Sequence, residues 1–373
     1  MDTVERWLDI WRDPPAEFRG APFWSWNGKL APERLCRAIE SMHQAGMGGF
    51  FIHSRYGLKT AYLSQEWFDC VGACVEKARE LGMKAYLYDE DRWPSGSAGG
   101  AVTRDNPGYS MHYIRGRAPG ETEETEEPLA AFSVKLDAQG RLIGYAPVDE
   151  SAGDDVLEFV MCVFPPTGWH NDAGYADTMN AEAIDEFIAA THQAYADRYA
   201  GDFGGLVPAI FTDEPNYYHP YRDGLTSQQR QCLGPWTAEL PREFIARRGY
   251  DLRDRLPELF FDRPGETFSK VRHDYYRTLT ELFVENFTAR IGQWCDRQGI
   301  ALTGHLLSEG RLSGQVSVIG AAMPHYPHMH WPGIDVLCDQ TDELLTAKQC
   351  SSVAAQLAKP RVLSELYGCT GWD

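Results

Sequence analysis

Residues 49–90 read GFFIHSRYGLKTAYLSQEWFDCVGACVEKARELGMKAYLYDE, and this stretch decides the fold. It opens with a short apolar strand at 49–53 and closes with a second strand at 84–90. Between them, the apolar residues of 64–81 recur at helical spacing, and Gly82 is a typical stop signal for a helix. The order strand, helix, strand with short apolar strands is typical of parallel α/β structure.

The same alternation extends over most of the chain. Strands are predicted to start near residues 22, 49, 84, 208, 301, 334 and 361, and helices connect most of them. Successive right-handed crossover units favour a (β/α)8 TIM-type barrel. The alternative, an open doubly wound sheet, lacks the usual GxGxxG after its first strand. The eighth strand is missing or borrowed, so we expect either a piece of a longer polypeptide or an unusual barrel.

A β-rich region interrupts the predicted barrel after its third strand. Two strands at 130–136 and 141–145 flank Asp137-Ala138-Gln139-Gly140, which is typical of a β-hairpin, and a further strand is predicted at 156–164. We therefore divide the chain into a first part of the barrel (1–105), a β-rich insertion (106–178) and a second part of the barrel (179–373).

Charge and composition narrow the classes of partner. The 373 residues include 54 acidic and 35 basic side chains, for a formal net charge of −19. This charge repels phosphate backbones and anionic lipids, so we expect neither nucleic acid nor a membrane as partner. Nine scattered cysteines without a CxxC pair, and no visible signal peptide, indicate reduced thiols and a cytoplasmic protein. A homodimer could cover the open edge of the barrel.

Polar and aromatic side chains stand where the predicted strands end. Catalysis in barrels lies at the C-terminal ends of the strands, so we expect these side chains to meet at one mouth. In strand order they are Trp24, Trp26 and Asn27; His53 and Arg55; Asp89, Glu90, Asp91, Arg92 and Trp93; Asp213, Glu214 and Asn216; His305 and Glu309; Asp335 and Asp339; and Glu365 and Tyr367. The alternative for each single residue is a capping or salt-bridging role.

This set of side chains suits glycoside hydrolysis. That reaction needs two carboxyl groups beside the scissile bond, one protonated and one ionised. Glu214 and Glu365 follow strands that face each other across a barrel mouth. Partial burial or a neighbouring negative charge such as Asp213 would raise the pKa of Glu214, so we expect Glu214 to be the general acid. Glu365 is the expected nucleophile of a retaining enzyme or base of an inverting one. Trp24, Trp26, Trp93 and Tyr367 would stack on a carbohydrate substrate, and Asn27, His53, Arg55, Asp89, Asp91, Asp213, Asn216, His305 and Glu309 would bind its polar groups.

One motif resembles a known group of glycosidases. Residues 212–215, Thr-Asp-Glu-Pro, look like the strand-four Asn-Glu-Pro signature of the clan of retaining barrel glycosidases. The resemblance implies an acid/base role for Glu214 and a nucleophile role for Glu365 after strand seven. Asp213 stands where that clan has Asn, which normally hydrogen-bonds the sugar 2-hydroxyl. An ionised Asp can accept this bond but cannot donate it.

Three other segments resemble family 106 glycoside hydrolases, the α-L-rhamnosidases. They are residues 22–28, 46–50 and 88–100, the last of which includes Trp93-Pro94-Ser95-Gly96. The similarity covers most of the barrel but not the β-rich insertion. It implies an inverting enzyme, in contrast to the retaining clan, and accessory β-domains after the barrel.

Several motifs leave other chemistry open. The segment 96–100, Gly-Ser-Ala-Gly-Gly, would form a tight turn beside a sugar or cradle a phosphate, although it lacks the Gly-Lys-Ser/Thr of a P-loop. Asp89-Glu90-Asp91 could bind Ca²⁺ through oxygen ligands, and we expect no other cofactor. The histidines at 325, 328 and 330 form a metal tract or an aromatic-rich loop. Two further functions therefore stay open: a metal-dependent barrel hydrolase and a catalytically inactive, carbohydrate-binding barrel.

Overall fold

The computed structural model describes residues 3–120, 126–148, 156–217, 232–338 and 344–369. Twelve strands lie in these residues: β1 (Phe23–Gly28), β2 (Gly49–Leu58), β3 (Lys84–Tyr88), β4 (His112–Arg117), β5 (Glu127–Leu136), β6 (Leu142–Pro147), β7 (Val156–Val163), β8 (Ala209–Asp213), β9 (Leu233–Trp236), β10 (Ala301–His305), β11 (Trp331–Val336) and β12 (Leu363–Leu366).

Seven of these strands form one curled sheet in the order β1-β2-β3-β8-β10-β11-β12, and every neighbouring pair is parallel. The seven strands predicted from the sequence are therefore confirmed. Among the described residues, no pairing joins β12 to β1, so the closed eight-stranded barrel stays a prediction.

Twelve α-helices lie in the described residues. They are α1 (Thr3–Arg12), α2 (Pro32–Gln44), α3 (Gln65–Leu81), α4 (Ala101–Arg104), α5 (Ala181–Phe187), α6 (Ala194–Tyr199), α7 (Leu240–Arg248), α8 (Pro257–Phe260), α9 (Lys270–Phe283), α10 (Ala289–Gln298), α11 (Leu312–Val318) and α12 (Leu345–Gln356). The Ser64 side chain caps α3 by accepting from the N–H of Trp67, and Gly82 ends it with a φ of 68°. Within the described part of the chain, no helix is both long and apolar enough to cross a membrane.

Each face of the curled sheet packs into a different core. The inner face holds a small aromatic core of Phe51, Tyr86, Tyr88, Ala209 and Phe211. The outer face packs on the helices through a much larger core that includes Trp26 and Trp67. Because successive side chains of a strand point to opposite faces, Phe23 of β1 joins the inner core whereas Trp24 and Trp26 join the outer one.

A separate antiparallel sheet has the order β6-β5-β7-β4-β9. The predicted hairpin is present as β5 and β6, and its turn is closed by a 2.9 Å hydrogen bond from the N–H of Gly140 to the carbonyl of Asp137. Four strands lie within the predicted insertion, and the fifth, β9, follows β8 in the chain and pairs with β4. The two boundaries of the domain division stay predictions.

Candidate active site

Two acidic residues, Asp213 and Glu214, stand at the C-terminal end of β8 in the curled sheet. The Oδ2 atom of Asp213 accepts a 2.7 Å hydrogen bond from the Tyr88 hydroxyl, and its backbone N–H donates to Ser95 Oγ at 2.8 Å. The next residue, Glu214, has a left-handed φ of 45°. Asn216 Nδ2 donates to the Glu214 carbonyl at 3.2 Å and so supports this turn. A left-handed backbone at a residue with a Cβ costs energy and is found preferentially at functional sites.

A buried histidine, His305 at the end of β10, joins acidic side chains from two other strands. Its Nε2 atom lies 2.8 Å from Glu365 Oε2 and 3.6 Å from Asp213 Oδ1. Burial opposes the charged imidazolium, but the hydrogen bond to Glu365 and the negative charge of Asp213 raise the pKa of His305 to about 10. His305 is therefore protonated at neutral pH and donates to the Glu365 carboxylate.

A second buried histidine, His53, also lies near Asp213, but its pKa is shifted in the opposite direction. The Nε2 atom of His53 lies 4.0 Å from Asp213 Oδ2, and neither ring nitrogen has a hydrogen-bond partner among the described residues. Burial and the nearby charge of Arg55 hold the pKa of His53 well below its usual value. Asp213 thus has a charged histidine and a neutral one as neighbours.

Glu214 and Asp335 complete the group. Their carboxyl oxygens and a ring nitrogen of His305 all lie within 4.8 Å of one another. Burial, with the negative charges of Asp213 and Asp335 as a smaller cause, raises the pKa of Glu214 to about 8. Burial also raises the pKa of Asp335 to about 6, and its Oδ1 atom has no hydrogen-bond partner in the described structure. Near neutral pH the Glu214 carboxyl is therefore mostly protonated.

These five side chains, Asp213, Glu214, His305, Asp335 and Glu365, are called the carboxyl cluster below. They come from the ends of β8, β10, β11 and β12. The structure thus brings together the two glutamates singled out from the sequence, around one imidazole. The Glu365 side chain keeps 20% of its surface exposed, so its ion pair with His305 lies at the mouth rather than deep in the interior.

The acidic residues after β3 are engaged quite differently. Glu90 accepts hydrogen bonds from the backbone N–H groups of Asp91, Gly96, Ser97, Ala98 and Gly99. Segment 96–99 is therefore a turn built around a buried carboxylate. Because that carboxylate occupies the amides, they are not available to cradle a phosphate.

The two aspartates that flank Glu90 also have protein partners. Asp89 Oδ1 accepts a 2.6 Å hydrogen bond from Ser95 Oγ, and its Oδ2 atom lies 3.7 Å from His192 Nε2. Asp91 accepts from Ser54 at 3.1 Å and from Asn171 at 3.0 Å, and it also pairs with the guanidinium of Arg92. The three carboxyls face different partners, which is not the convergent arrangement of a Ca²⁺ site.

The tryptophans of β1 lie away from the carboxyl cluster. Trp26 is 1% exposed and packs edge-on against Trp67, with ring centroids 5.1 Å apart. Trp24 packs in the same way against Phe50, at 5.6 Å. Both indoles fill the layer between β1 and the helices, so the structure does not place them on a sugar-stacking platform. Tyr367, at the end of β12, is 74% exposed.

Trp93 lines a different feature, which we call the aromatic pocket. This pocket has a volume of about 390 Å³ and is lined by Trp93, Pro94, Met111, Phe164, Thr167, Trp169, His170 and Tyr175. The rings of Trp93 and Trp169 lie 5.3 Å apart. The pocket therefore lies between the loop after β3 and the segments on either side of the β4–β7 pair.

The other polar candidates have mixed positions. Glu309 is buried and accepts from the N–H groups of Leu306 and Asp335, which makes it a brace between two strand ends. Arg55 is half-buried, and the structure gives it no hydrogen bond or ion pair with any described residue. Asn27 is exposed at the end of β1, and Asp339 lies outside the described residues.

The histidines at 325, 328 and 330 do not converge. His325 Nδ1 lies 2.7 Å from the Thr288 hydroxyl, whereas His330 bonds Asp296 through Nε2 and accepts the N–H of Leu302 through Nδ1. These separate partners correspond to the interpretation of an aromatic-rich loop, not to a metal tract.

Two solved structures have a similar fold. The alignment with a rhamnosidase from Novosphingobium sp. PP1Y covers 98% of this chain and 53% of the rhamnosidase chain. The sequence identity is 14% and the TM-score is 0.68. The alignment with the catalytic domain of a β-amylase from Paenibacillus polymyxa covers 94% of this chain and 86% of the β-amylase chain. The sequence identity is 11% and the TM-score is 0.51. The chain therefore spans about half the length of the rhamnosidase. No protein-family model matches the sequence, and no curated protein matches it. At these identities the similarity shows a fold shared with two glycosidases.

Three side chains near the site escaped the sequence analysis. Tyr88, which bonds Asp213, stands one residue before the acidic run and shares its strand parity with Tyr86, so alternation could have pointed to it. Trp169 and Tyr56 stack at 5.7 Å with an angle of 4° between their rings. No pattern in the sequence connects these two residues, which are far apart in the chain.

Proposed function

We propose that this protein is a glycoside hydrolase in which Glu214 is the general acid. The observation that carries the proposal is the carboxyl cluster, where one carboxyl is held protonated while another is paired with a charged histidine. Burial raises the pKa of Glu214 to about 8, which suits a group that must donate a proton near neutral pH. The fold shared with a rhamnosidase and a β-amylase supports the same class of reaction.

Glu365 supplies the second carboxyl of the proposed mechanism. It accepts a 2.8 Å hydrogen bond from His305, which orients it. In an inverting enzyme it activates water, and in a retaining enzyme it attacks the anomeric carbon. Proton NMR of the first product formed from one pure anomer distinguishes the two roles.

The test uses two substrates with the same sugar and different leaving groups. A panel of nitrophenyl glycosides, headed by the α-L-rhamnoside, identifies the sugar; the methyl glycoside of that sugar is the second substrate. We expect Glu214→Gln to lower kcat on the methyl glycoside by about a thousandfold and far less on the nitrophenyl glycoside, because nitrophenolate leaves without a proton. Glu365→Gln should lower kcat strongly on both.

The matched control is Glu33→Gln, an exposed glutamate on α2, which should keep full activity. Near-normal turnover of the methyl glycoside by both site variants would refute the proposed roles. Sugar binding without hydrolysis of any glycoside in the panel would instead favour a carbohydrate-binding barrel.

A divalent-cation hydrolase is the second candidate. Two groups of side chains, Asp213-His305-Glu365 and Glu214-His305-Asp335, each bring three ligand-type atoms within 4.8 Å. Both groups share His305, whose Nε2 lies 2.8 Å from Glu365 Oε2, so a cation bound there would have to displace the proton of this hydrogen bond. Loss of activity in EDTA, with recovery on added Ca²⁺, would establish this candidate in place of the first.

A further inference from the structure

The aromatic pocket has the features of a built ligand site. Its walls are mostly aromatic and apolar, and its volume of about 390 Å³ falls within the range of small-molecule sites. An apolar cavity of about 150 Å³ holds one benzene ring, so this pocket has room for about two rings.

The walls of the pocket are held in place before any ligand arrives. Trp169 Nε1 donates a 2.6 Å hydrogen bond to the carbonyl of Trp93, which fixes the indole beside the Trp93 ring. The outer face of Trp169 stacks on Tyr56, which is 64% exposed, and the Arg92 guanidinium lies over both rings. A rigid aromatic wall loses little entropy when a planar group stacks on it.

Hydrogen bonds link one wall of the pocket to the loop that carries Glu214. Its wall residue Tyr175 donates to the carbonyl of Ser95 at 2.8 Å and accepts the backbone N–H of Asn216 at 3.3 Å. Ser95 bonds Asp213, and Asn216 follows Glu214 by two residues. The negative charge of Glu214 is also among the causes that raise the pKa of Tyr175, after burial. In a glycosidase the general acid stands beside the leaving group, so the pocket lies on that side.

From this arrangement we propose that the aromatic pocket binds the leaving group of the substrate, and that this leaving group is a planar, apolar aglycone of about two rings. The inference rests on the proposed function for the position of the sugar. The aglycone stacks on Trp169 and Trp93. Polymeric sugar chains, which lack such a ring system, are poor occupants of this pocket.

The binding test does not depend on catalysis. We titrate the full chain with 2-naphthol, a two-ring alcohol, by isothermal titration calorimetry. Wild type should bind it saturably, and Trp169→Ala should weaken binding at least about tenfold through loss of stacking and buried area. Trp169→Phe, which keeps an aromatic wall, should recover most of the affinity. Trp7→Ala on the exposed face of α1 is the matched control and should bind as wild type does.

Catalysis then tests the role of the pocket. The ratio of KM for the methyl glycoside to KM for the 2-naphthyl glycoside should fall in Trp169→Ala, with the circular dichroism spectrum unchanged. Absence of saturable naphthol binding, or equal binding by Trp169→Ala, overturns the pocket even if hydrolysis is found. Naphthol binding with an unchanged KM ratio overturns the leaving-group assignment. Failure of the proposed function has a separate signature, namely full activity of Glu214→Gln.

Discussion

Two acidic regions of this protein look alike in the sequence and differ in the structure. Asp89, Glu90 and Asp91 follow β3, while the acids of the carboxyl cluster follow β8, β11 and β12. Both groups are largely buried at the ends of parallel strands. In the first group, Glu90 accepts five backbone N–H groups. In the second, four carboxyls surround one histidine, His305. Asp335 Oδ1 has no hydrogen-bond partner in the described structure, and the same holds for Asp89 Oδ2 in the first group.

The difference separates scaffold from chemistry. A buried carboxylate whose oxygens are fully used by N–H donors stabilises the loop that surrounds it. In both regions burial is the main cause of a raised pKa, to about 7 for Glu90 and to about 8 for Glu214. In the carboxyl cluster the neighbouring negative charges add to this effect, which costs stability but leaves a proton available near neutral pH. Three substitutions test this contrast, and the expected effect decreases from the first to the third.

The largest change in stability is expected for Glu90→Gln. The amide would place its N–H hydrogens against N–H groups of the 96–99 turn. This clash does not depend on the charge of Glu90, whose pKa is raised to about 7 by burial. We expect the free energy of unfolding to fall by about 3 kcal/mol, measured by urea denaturation. Glu33→Gln on α2 controls for loss of an exposed glutamate and should change little. If Glu90→Gln is as stable as wild type, the assignment of Glu90 to the scaffold is wrong.

The opposite sign is expected for Glu214→Gln. The folded protein holds the Glu214 proton more tightly than the unfolded chain, with a pKa of about 8 against an ordinary value of 4.5. Between these pH values the free energy of unfolding therefore falls as pH rises, and the glutamine variant lacks this loss. At pH 7.5 we expect the variant to be more stable by roughly 1–3 kcal/mol, and equal to wild type near pH 4. Equal stability at both pH values would contradict the protonated state of Glu214.

The contrast between the two regions also shows how far the sequence could predict the site. Seven strands could be located because short apolar runs alternate with amphipathic helices, and the ends of those strands then indicated Glu214 and Glu365. The same logic could not separate Glu90 from Glu214, because backbone donors arrive from a turn whose shape the sequence does not specify. How many hydrogen-bond donors reach a buried carboxyl depends on the folded structure, and no pattern in the sequence indicates it.

The aromatic residues illustrate a second limit. In β1 the order Phe23, Trp24, Ser25, Trp26 shows which side chains share a face, but strands of a parallel sheet are apolar on both faces. The sequence therefore could not tell which face was the inner one. It predicted Trp24 and Trp26 beside the substrate, whereas both lie on the outer face of the sheet, away from the carboxyl cluster. Trp169 lies in the predicted insertion, 76 residues after Trp93, and only the folded chain brings the two rings together.

The smallest effect, and the most specific, is expected for Asp335→Asn. Glu214 must be protonated to act as an acid, so wild-type kcat should fall tenfold per pH unit above about pH 8. The negative charge of Asp335 is one of the causes of that raised pKa. Its removal should therefore move the alkaline limb of the pH profile of kcat to lower pH by roughly half a unit. Asp105→Asn, an exposed aspartate outside the cluster, should leave the limb in place. A shift of the limb to higher pH would mean that Asp335 helps Glu214 to lose its proton. In that case the four carboxyls would not act as one coupled group, and the contrast with the β3 acids would rest on hydrogen-bond counts alone.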